Sequence, residues 1–82
     1  MKIYRPNGRC NVTGEQVRLL RKAARLSQEE LAARVQLAGL DMTQKAISRI
    51  ETGERLVADY ELFYLARALR VTVPELLPPF PL

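Results

Sequence analysis

Histidine and tryptophan are absent from this chain of 82 residues, and cysteine occurs once, as Cys10. A single cysteine excludes an intramolecular disulfide and a metal cluster held by several thiolates. The lack of histidine removes the commonest general base and a frequent metal ligand. No paired-carboxylate motif or phosphate-binding loop supplies other chemistry. We therefore expect no enzyme activity, no cofactor and no metal site.

Long apolar segments are also missing. No run approaches the ~18 residues of a transmembrane helix, and residues 1–25 contain no apolar region typical of a signal peptide. We therefore expect a soluble, cytoplasmic protein without a membrane partner, and nothing in the sequence implies a small-molecule ligand. A chain of 82 residues is the size of one small domain with a modest core.

Positive charge is present in excess. The chain has 13 Lys and Arg residues against 9 Asp and Glu residues, which gives a pI near 9.7. The excess is greatest in residues 1–25, where Glu15 is the only acid. The basic residues there are Lys2, Arg5, Arg9, Arg18, Arg21, Lys22 and Arg25. Such a distribution suggests a polyanionic partner.

Local signals divide the chain into three parts. Residues 1–12 show no helical period and include the turn signal Pro6-Asn7-Gly8, which predicts a basic N-terminal arm. This arm could follow a polyanionic partner, or it could remain in solvent or fold back on the domain. Residues 13–77 carry repeated helical patterns and form the predicted domain. Residues 78–82 are a proline-rich apolar tail.

Five helices are predicted within the domain, because apolar residues recur at helical spacing after cap signals. The first follows Thr13 and reaches about Arg25, and the second follows Ser27 and stops before Gly39. The third begins after Thr43 or after Asp41 and ends before Gly53. The fourth covers about residues 59–69, and a short fifth begins at Thr72. No period-two pattern predicts a strand, so the sequence predicts a compact all-α domain.

The third helix has two distinct faces. Ala46, Ile47 and Ile50 cluster on one side. The opposite side carries Gln44, Lys45, Ser48 and Arg49. In the major groove glutamine can pair with adenine, arginine with guanine, and lysine or serine with a base or a phosphate. A polar face of this kind also occurs on helices that only contact solvent, so composition alone leaves both possibilities open.

Three segments together resemble the Cro/repressor, or XRE-like, helix-turn-helix family: LSQEELAARV, TQKAISRIETGER and YELFYLARALRVTVPELL. In that family, a helix that begins with Gln and carries Leu-Ala precedes a recognition helix with the pattern Ile-x-x-Ile/Leu-Glu-x-Gly. The similarity extends from about Gly14 to Leu77. It implies a compact five-helix, lambda-repressor-like domain in which helices 2 and 3 form the helix-turn-helix. It also implies a sequence-specific regulator of transcription that binds double-stranded DNA, such as a phage-type repressor or an antitoxin-like autoregulator.

The resemblance assigns roles to individual residues. It implies base contacts by Gln44, Lys45 and Arg49, DNA-backbone contacts by Gln28, Thr43, Ser48, Thr52 and Arg55, and a structural ion pair between Arg21 and Glu51. One feature departs from the family. Between Ala32 and Ile47 the chain has about five more residues than the short form of the family, which leaves the register of the base contacts open.

The fourth helix presents a possible dimer surface. Its inward stripe leaves Tyr60, Phe63 and Tyr64 on the far side, and an exposed aromatic patch is often an interface. We therefore expect a homodimer built on the fourth helix and the C-terminal segment, unless the arm covers the patch through Ile3 and Tyr4. A different function also remains open, in which the helix-turn-helix scaffold serves as a protein-interaction module.

Overall fold

The computed structural model describes residues 4–80. Within these residues, all regular secondary structure is helical. The four α-helices are α1 (Gly14–Ala23), α2 (Gln28–Leu37), α3 (Gln44–Thr52) and α4 (Asp59–Leu69). Short 3₁₀ turns lie at Pro6–Gly8 and Val73–Leu76. None of these helices is long and apolar enough to cross a membrane.

The predicted fifth helix is wrong, because the segment after α4 forms only the 3₁₀ turn Val73–Leu76. Pro74 lies in the first turn, where its missing N–H is tolerated, but Leu77 precedes Pro78. A residue before proline is pushed out of the α region, and Leu77 is indeed extended, with φ −112° and ψ 103°. The short segment between Thr72 and Pro78 thus forms a single 3₁₀ turn.

The predicted caps of α2 and α3 are confirmed. The Glu30 amide donates to Ser27 Oγ at 3.0 Å, and the Ser27 amide donates to Glu30 Oε1 at 2.9 Å. At the start of α3, the Ala46 amide donates to Thr43 Oγ1 at 3.1 Å, so Thr43 rather than Asp41 is the N-cap. Gly53 ends α3 in the left-handed conformation, with φ 80°. These local signals fix both ends of α3.

The start of α1 is built differently from the sequence prediction. The Thr13 side chain does not cap the helix but donates to the Leu76 carbonyl oxygen at 2.7 Å. Asn11 Oδ1 instead accepts from the Gly14 amide at 2.8 Å. The helix ends at Ala23 rather than at Arg25, which has a left-handed φ of 58°.

The core lies where α2 packs on α3 and α4, and α1 packs on α3 and α4. Its side chains with no exposed surface are Val17, Leu31, Val35, Ile47, Ile50, Leu65 and Leu76. Gly14 permits a close approach of α1 to α3, since a Cβ at this position would collide with the Ile50 carbonyl oxygen. The helix α3 therefore has packed neighbours along its buried side.

The long connection between α2 and α3 is held in place at several points. Met42 is buried in the core. Its carbonyl oxygen accepts from Gln36 Nε2 at 2.9 Å, and the Leu40 amide donates to the Val35 carbonyl oxygen at 3.2 Å. The additional residues thus form a fixed turn beyond the end of α2.

The last residues of the N-terminal arm are part of the folded domain. Cys10 is buried, and its amide donates to the Gly53 carbonyl oxygen at 2.7 Å. Asn11 Nδ2 donates to the carbonyl oxygens of Ile50 and Arg55 at 3.1 and 2.7 Å. Tyr4 is exposed, and Lys2 and Ile3 lie outside the described residues.

Candidate nucleic-acid interface

The outward face of α3 carries the three side chains predicted to contact bases. Gln44, Lys45 and Arg49 are exposed, whereas Ile47 and Ile50 on the opposite side have no exposed surface. Ser48 is half-buried beside this face. The buried isoleucines and the two caps hold the helix, so its polar side chains project from a rigid base.

The structure brings Arg21 of α1 together with Glu51 of α3. Arg21 Nε donates to Glu51 Oε2 at 2.7 Å, and Arg21 Nη2 donates to Glu51 Oε1 at 3.0 Å. Both residues are buried, and Arg21 Nη1 also donates to the Leu26 carbonyl oxygen at 2.8 Å. The hydrogen bonds to the Glu51 carboxylate raise the pKa of Arg21 above its ordinary value. This charged pair joins α1 to α3.

Gln28 connects the buried pair to the exposed face. Its Nε2 donates to Glu51 Oε1 at 3.1 Å, and its Oε1 accepts from Gln44 Nε2 at 2.7 Å. Gln28 is the first residue of α2, and Gln44 is the first residue of α3. The first residue of α3 therefore lies beside the first residue of α2, although the connection between the two helices is long.

The other predicted backbone contacts have different surroundings. Thr43 and Thr52 are exposed, and the Thr52 hydroxyl donates to the Arg49 carbonyl oxygen at 3.3 Å.

Arg55 binds Glu61 through two hydrogen bonds of 2.9 and 2.8 Å. Its Nη1 also donates to the Leu56 carbonyl oxygen at 2.8 Å. Through these hydrogen bonds, Arg55 connects the segment after α3 to the first turn of α4.

The Arg55–Glu61 pair is absent from the sequence prediction. The hydrogen bonds from Arg55 lower the pKa of Glu61, and those to Glu61 raise the pKa of Arg55. Glu61 is buried, and its Oε1 also accepts from the Ala58 amide at 2.9 Å, where α4 begins. A Glu three residues after the N-cap is a recognisable signal for the start of a helix. The sequence does not show that Arg55, which lies before α4, is its partner.

A basic cleft of about 960 Å³ adjoins α3. Arg18 and Lys22 of α1 line it, together with Gln28 and Thr52. Arg9 lines the same cleft, and its Nη2 donates to the Glu51 carbonyl oxygen at 2.9 Å. Arg18 and Lys22 were not predicted as contacts. Their i, i+4 spacing on a basic helix was the available signal.

The aromatic side chains of α4 are unequally exposed. Tyr60 is 55% exposed and Phe63 is 66% exposed. Tyr64 is only partly exposed and packs against the core. The free aromatic surface of α4 therefore consists of Tyr60 and Phe63.

A sequence model described as a helix-turn-helix domain matches residues 13–78. The chain belongs to this helix-turn-helix domain family, and it is a DNA-binding regulator. Its structure is similar to the crystal structure of the restriction-modification controller protein C.AhdI from Aeromonas hydrophila, with a TM-score of 0.70 and 33% sequence identity. The similarity covers 78% of this chain and 86% of C.AhdI. A search of curated protein sequences gave no significant match.

Proposed function

We propose that the chain binds a specific sequence of double-stranded DNA by placing α3 in the major groove. The observation that carries this proposal is the exposed row formed by Gln44, Lys45 and Arg49 on a helix whose other side is buried. A helix of this kind fits the major groove, where each base pair presents a distinct pattern of donors and acceptors. Arg49 is suited to guanine, and Gln44 to adenine.

The DNA backbone is the proposed partner of the residues around this face. Gln28, Thr43, Ser48 and Thr52 offer polar groups beside α3, and Arg55 retains N–H groups beyond those used by Glu61. Arg18 and Lys22 extend this surface with positive charge. Such contacts orient the protein on DNA and supply affinity that falls with salt. The similarity to a restriction-modification controller supports control of transcription as the consequence of binding.

Selection of binding sites from a pool of random duplexes tests the proposal. We expect one enriched sequence, and we expect Arg49→Ala to weaken binding to it by about 1–3 kcal/mol while relaxing preference at one base pair. Arg67→Ala is the matched control, because Arg67 is an exposed arginine on α4 rather than α3. Equal losses on the enriched and a scrambled duplex would assign Arg49 to phosphate. No binding at low salt would favour a protein-interaction module.

A further inference from the structure

The hydrogen bonds between Glu51 and Gln44 run in a fixed donor-to-acceptor order. The Glu51 carboxylate accepts from Arg21 and from Gln28 Nε2, at distances between 2.7 and 3.1 Å. A carboxylate bound to arginine accepts hydrogen bonds and does not donate them. The Gln28 amide must therefore direct its nitrogen toward Glu51 and its oxygen away from it.

The same constraint passes to the next side chain. Gln28 Oε1 accepts from Gln44 Nε2 at 2.7 Å, and an amide oxygen needs a donor opposite it. The nitrogen of Gln44 thus faces Gln28, while its oxygen and its second amide hydrogen remain available at the exposed surface. A buried carboxylate thereby sets the orientation of an exposed amide group that would otherwise be free to reverse.

We infer that Glu51 is a positioning residue for base specificity, because it determines which hydrogen-bonding pattern Gln44 presents to DNA without itself touching the bases. The inference rests on the proposed function. In the fixed orientation, Gln44 offers one acceptor beside one donor. This pattern matches N6 and N7 of adenine, whereas guanine presents two acceptors at O6 and N7. The arrangement favours adenine over guanine.

Loss of the Glu51 carboxylate removes the constraint on which group donates and which accepts in these hydrogen bonds. A glutamine at position 51 can donate as well as accept, so Gln28 can reverse, and Gln44 can reverse with it. Gln44 can then direct both amide hydrogens toward a base. We expect Glu51→Gln to reduce the preference for adenine over guanine at the base pair contacted by Gln44 by roughly fivefold or more.

The experiment compares base preferences of several variants by selection from the same random duplex pool. Gln44→Ala first locates the base pair that Gln44 contacts. Glu51→Gln then tests the carboxylate, and Gln28→Met removes the intermediate amide while leaving the Arg21–Glu51 pair intact. If Glu51→Gln does not fold, Gln28→Met decides the question. Gln36→Met is the matched control, since Gln36 also lies on α2 but donates to the Met42 carbonyl oxygen.

The expected result is a relaxed preference at the Gln44 base pair in Glu51→Gln and Gln28→Met, with the other positions of the site unchanged. A merely structural role would lower the melting temperature without altering that single position. Unchanged preference in both variants, although Gln44→Ala loses it, would overturn the inference and leave the proposed function standing. So would a Gln44→Ala profile that matches the wild type. A wild-type protein without any sequence preference would instead refute the proposed function, and the inference with it.

Discussion

Arg21 donates two hydrogen bonds to Glu51, and these bonds join α1 to the buried side of α3. The pair is largely shielded from water, with 9% of Arg21 and 7% of Glu51 exposed. Taking two charges out of water is costly, and the pair offsets that cost only while both partners are present. The consequence is a strong dependence of each residue on the other.

Removing one partner should therefore destabilise the protein markedly. We expect Arg21→Ala and Glu51→Ala each to lower the free energy of unfolding by about 3–5 kcal/mol, because each leaves a buried charge unpaired. The double variant should lose clearly less than the sum of the two. Chemical denaturation measures all three. Glu15→Ala is the control, since Glu15 is an exposed carboxylate 3.9 Å from Arg9 and should change stability little. Strict additivity would show that Arg21 and Glu51 do not interact.

The Arg55–Glu61 pair predicts a loss of stability in acid. Arg55 lowers the pKa of Glu61 below its ordinary value of 4.5. A carboxyl with a lowered pKa in the folded state contributes stability at pH values above its unfolded pKa, and that stability is lost as the pH falls through the folded pKa. We therefore expect Glu61→Gln to reduce the free energy of unfolding near neutral pH and to flatten its decline below about pH 4.5.

Urea denaturation across a pH series checks this expectation. Glu29→Gln, an exposed carboxylate in the first turn of α2, provides the comparison and should keep the wild-type decline. An acid profile of Glu61→Gln that runs parallel to the wild type would contradict a coupling between Glu61 protonation and folding.

Gly14 provides a test of how closely α1 approaches α3. At most helical positions, alanine in place of glycine stabilises a protein by up to about 1 kcal/mol. Here the added Cβ would collide with the Ile50 carbonyl oxygen, so we expect Gly14→Ala to destabilise by about 1–3 kcal/mol. Thermal or chemical unfolding measures the sign. The reverse exchange at exposed Ala33 in α2 should cost only about 1 kcal/mol. A stabilised Gly14→Ala would disprove the close contact.

The parts of the fold that were predictable from the sequence depend on local interactions. The side chains of Ser27 and Glu30 each accept from the other residue's backbone amide at the start of α2. Thr43 and Gly53 lie at the two ends of α3. Such signals act over one helical turn, so they can be recognised without knowing the tertiary structure. The exposure of the polar face of α3 followed from helical periodicity in the same way.

Apart from the fifth helix, the failures involve side-chain partners that lie outside the helix or turn in question. The Thr13 hydroxyl binds the Leu76 carbonyl oxygen, 63 residues away, and so does not form the expected cap. Arg55 is held by Glu61 in the next helix, which its sequence neighbours do not reveal. The hydrogen bond between Gln44 and Gln28, 16 residues apart, was likewise not evident from the sequence, which left the register of the base contacts open because of the long connection.

We expect the basic cleft to contribute affinity for DNA without a preference for its sequence. Arg18 and Lys22 line it beside Gln28, and both are exposed. If they neutralise phosphates, Arg18→Ala and Lys22→Ala should weaken binding equally on enriched and scrambled duplexes. Each should also reduce the salt slope of binding by about one. Titration at several salt concentrations measures this slope, and Arg67→Ala again serves as the comparison. An unchanged slope in both variants would place the cleft away from the DNA.

The exposed aromatic side chains of α4 form a candidate dimer interface. One recognition helix contacts only a few base pairs, so domains of this architecture commonly bind as dimers to half-sites about 34–36 Å apart. Tyr60 and Phe63 are more than half exposed, and aromatic side chains are enriched at protein interfaces. We therefore propose a two-fold homodimer in which this part of α4 meets its counterpart.

Phe63→Glu places a charge at the centre of that surface and should weaken both self-association and cooperative binding to a two-half-site duplex. Sedimentation and DNA-binding stoichiometry measure the two effects. Leu37→Glu is the matched control, because Leu37 is 88% exposed at the end of α2 and lies on a different helix from Tyr60 and Phe63. It introduces the same charge at an exposed apolar site, so it should leave dimerisation unchanged. A wild-type monomer that occupies a single half-site, with Phe63→Glu behaving identically, would exclude α4 as the dimer interface.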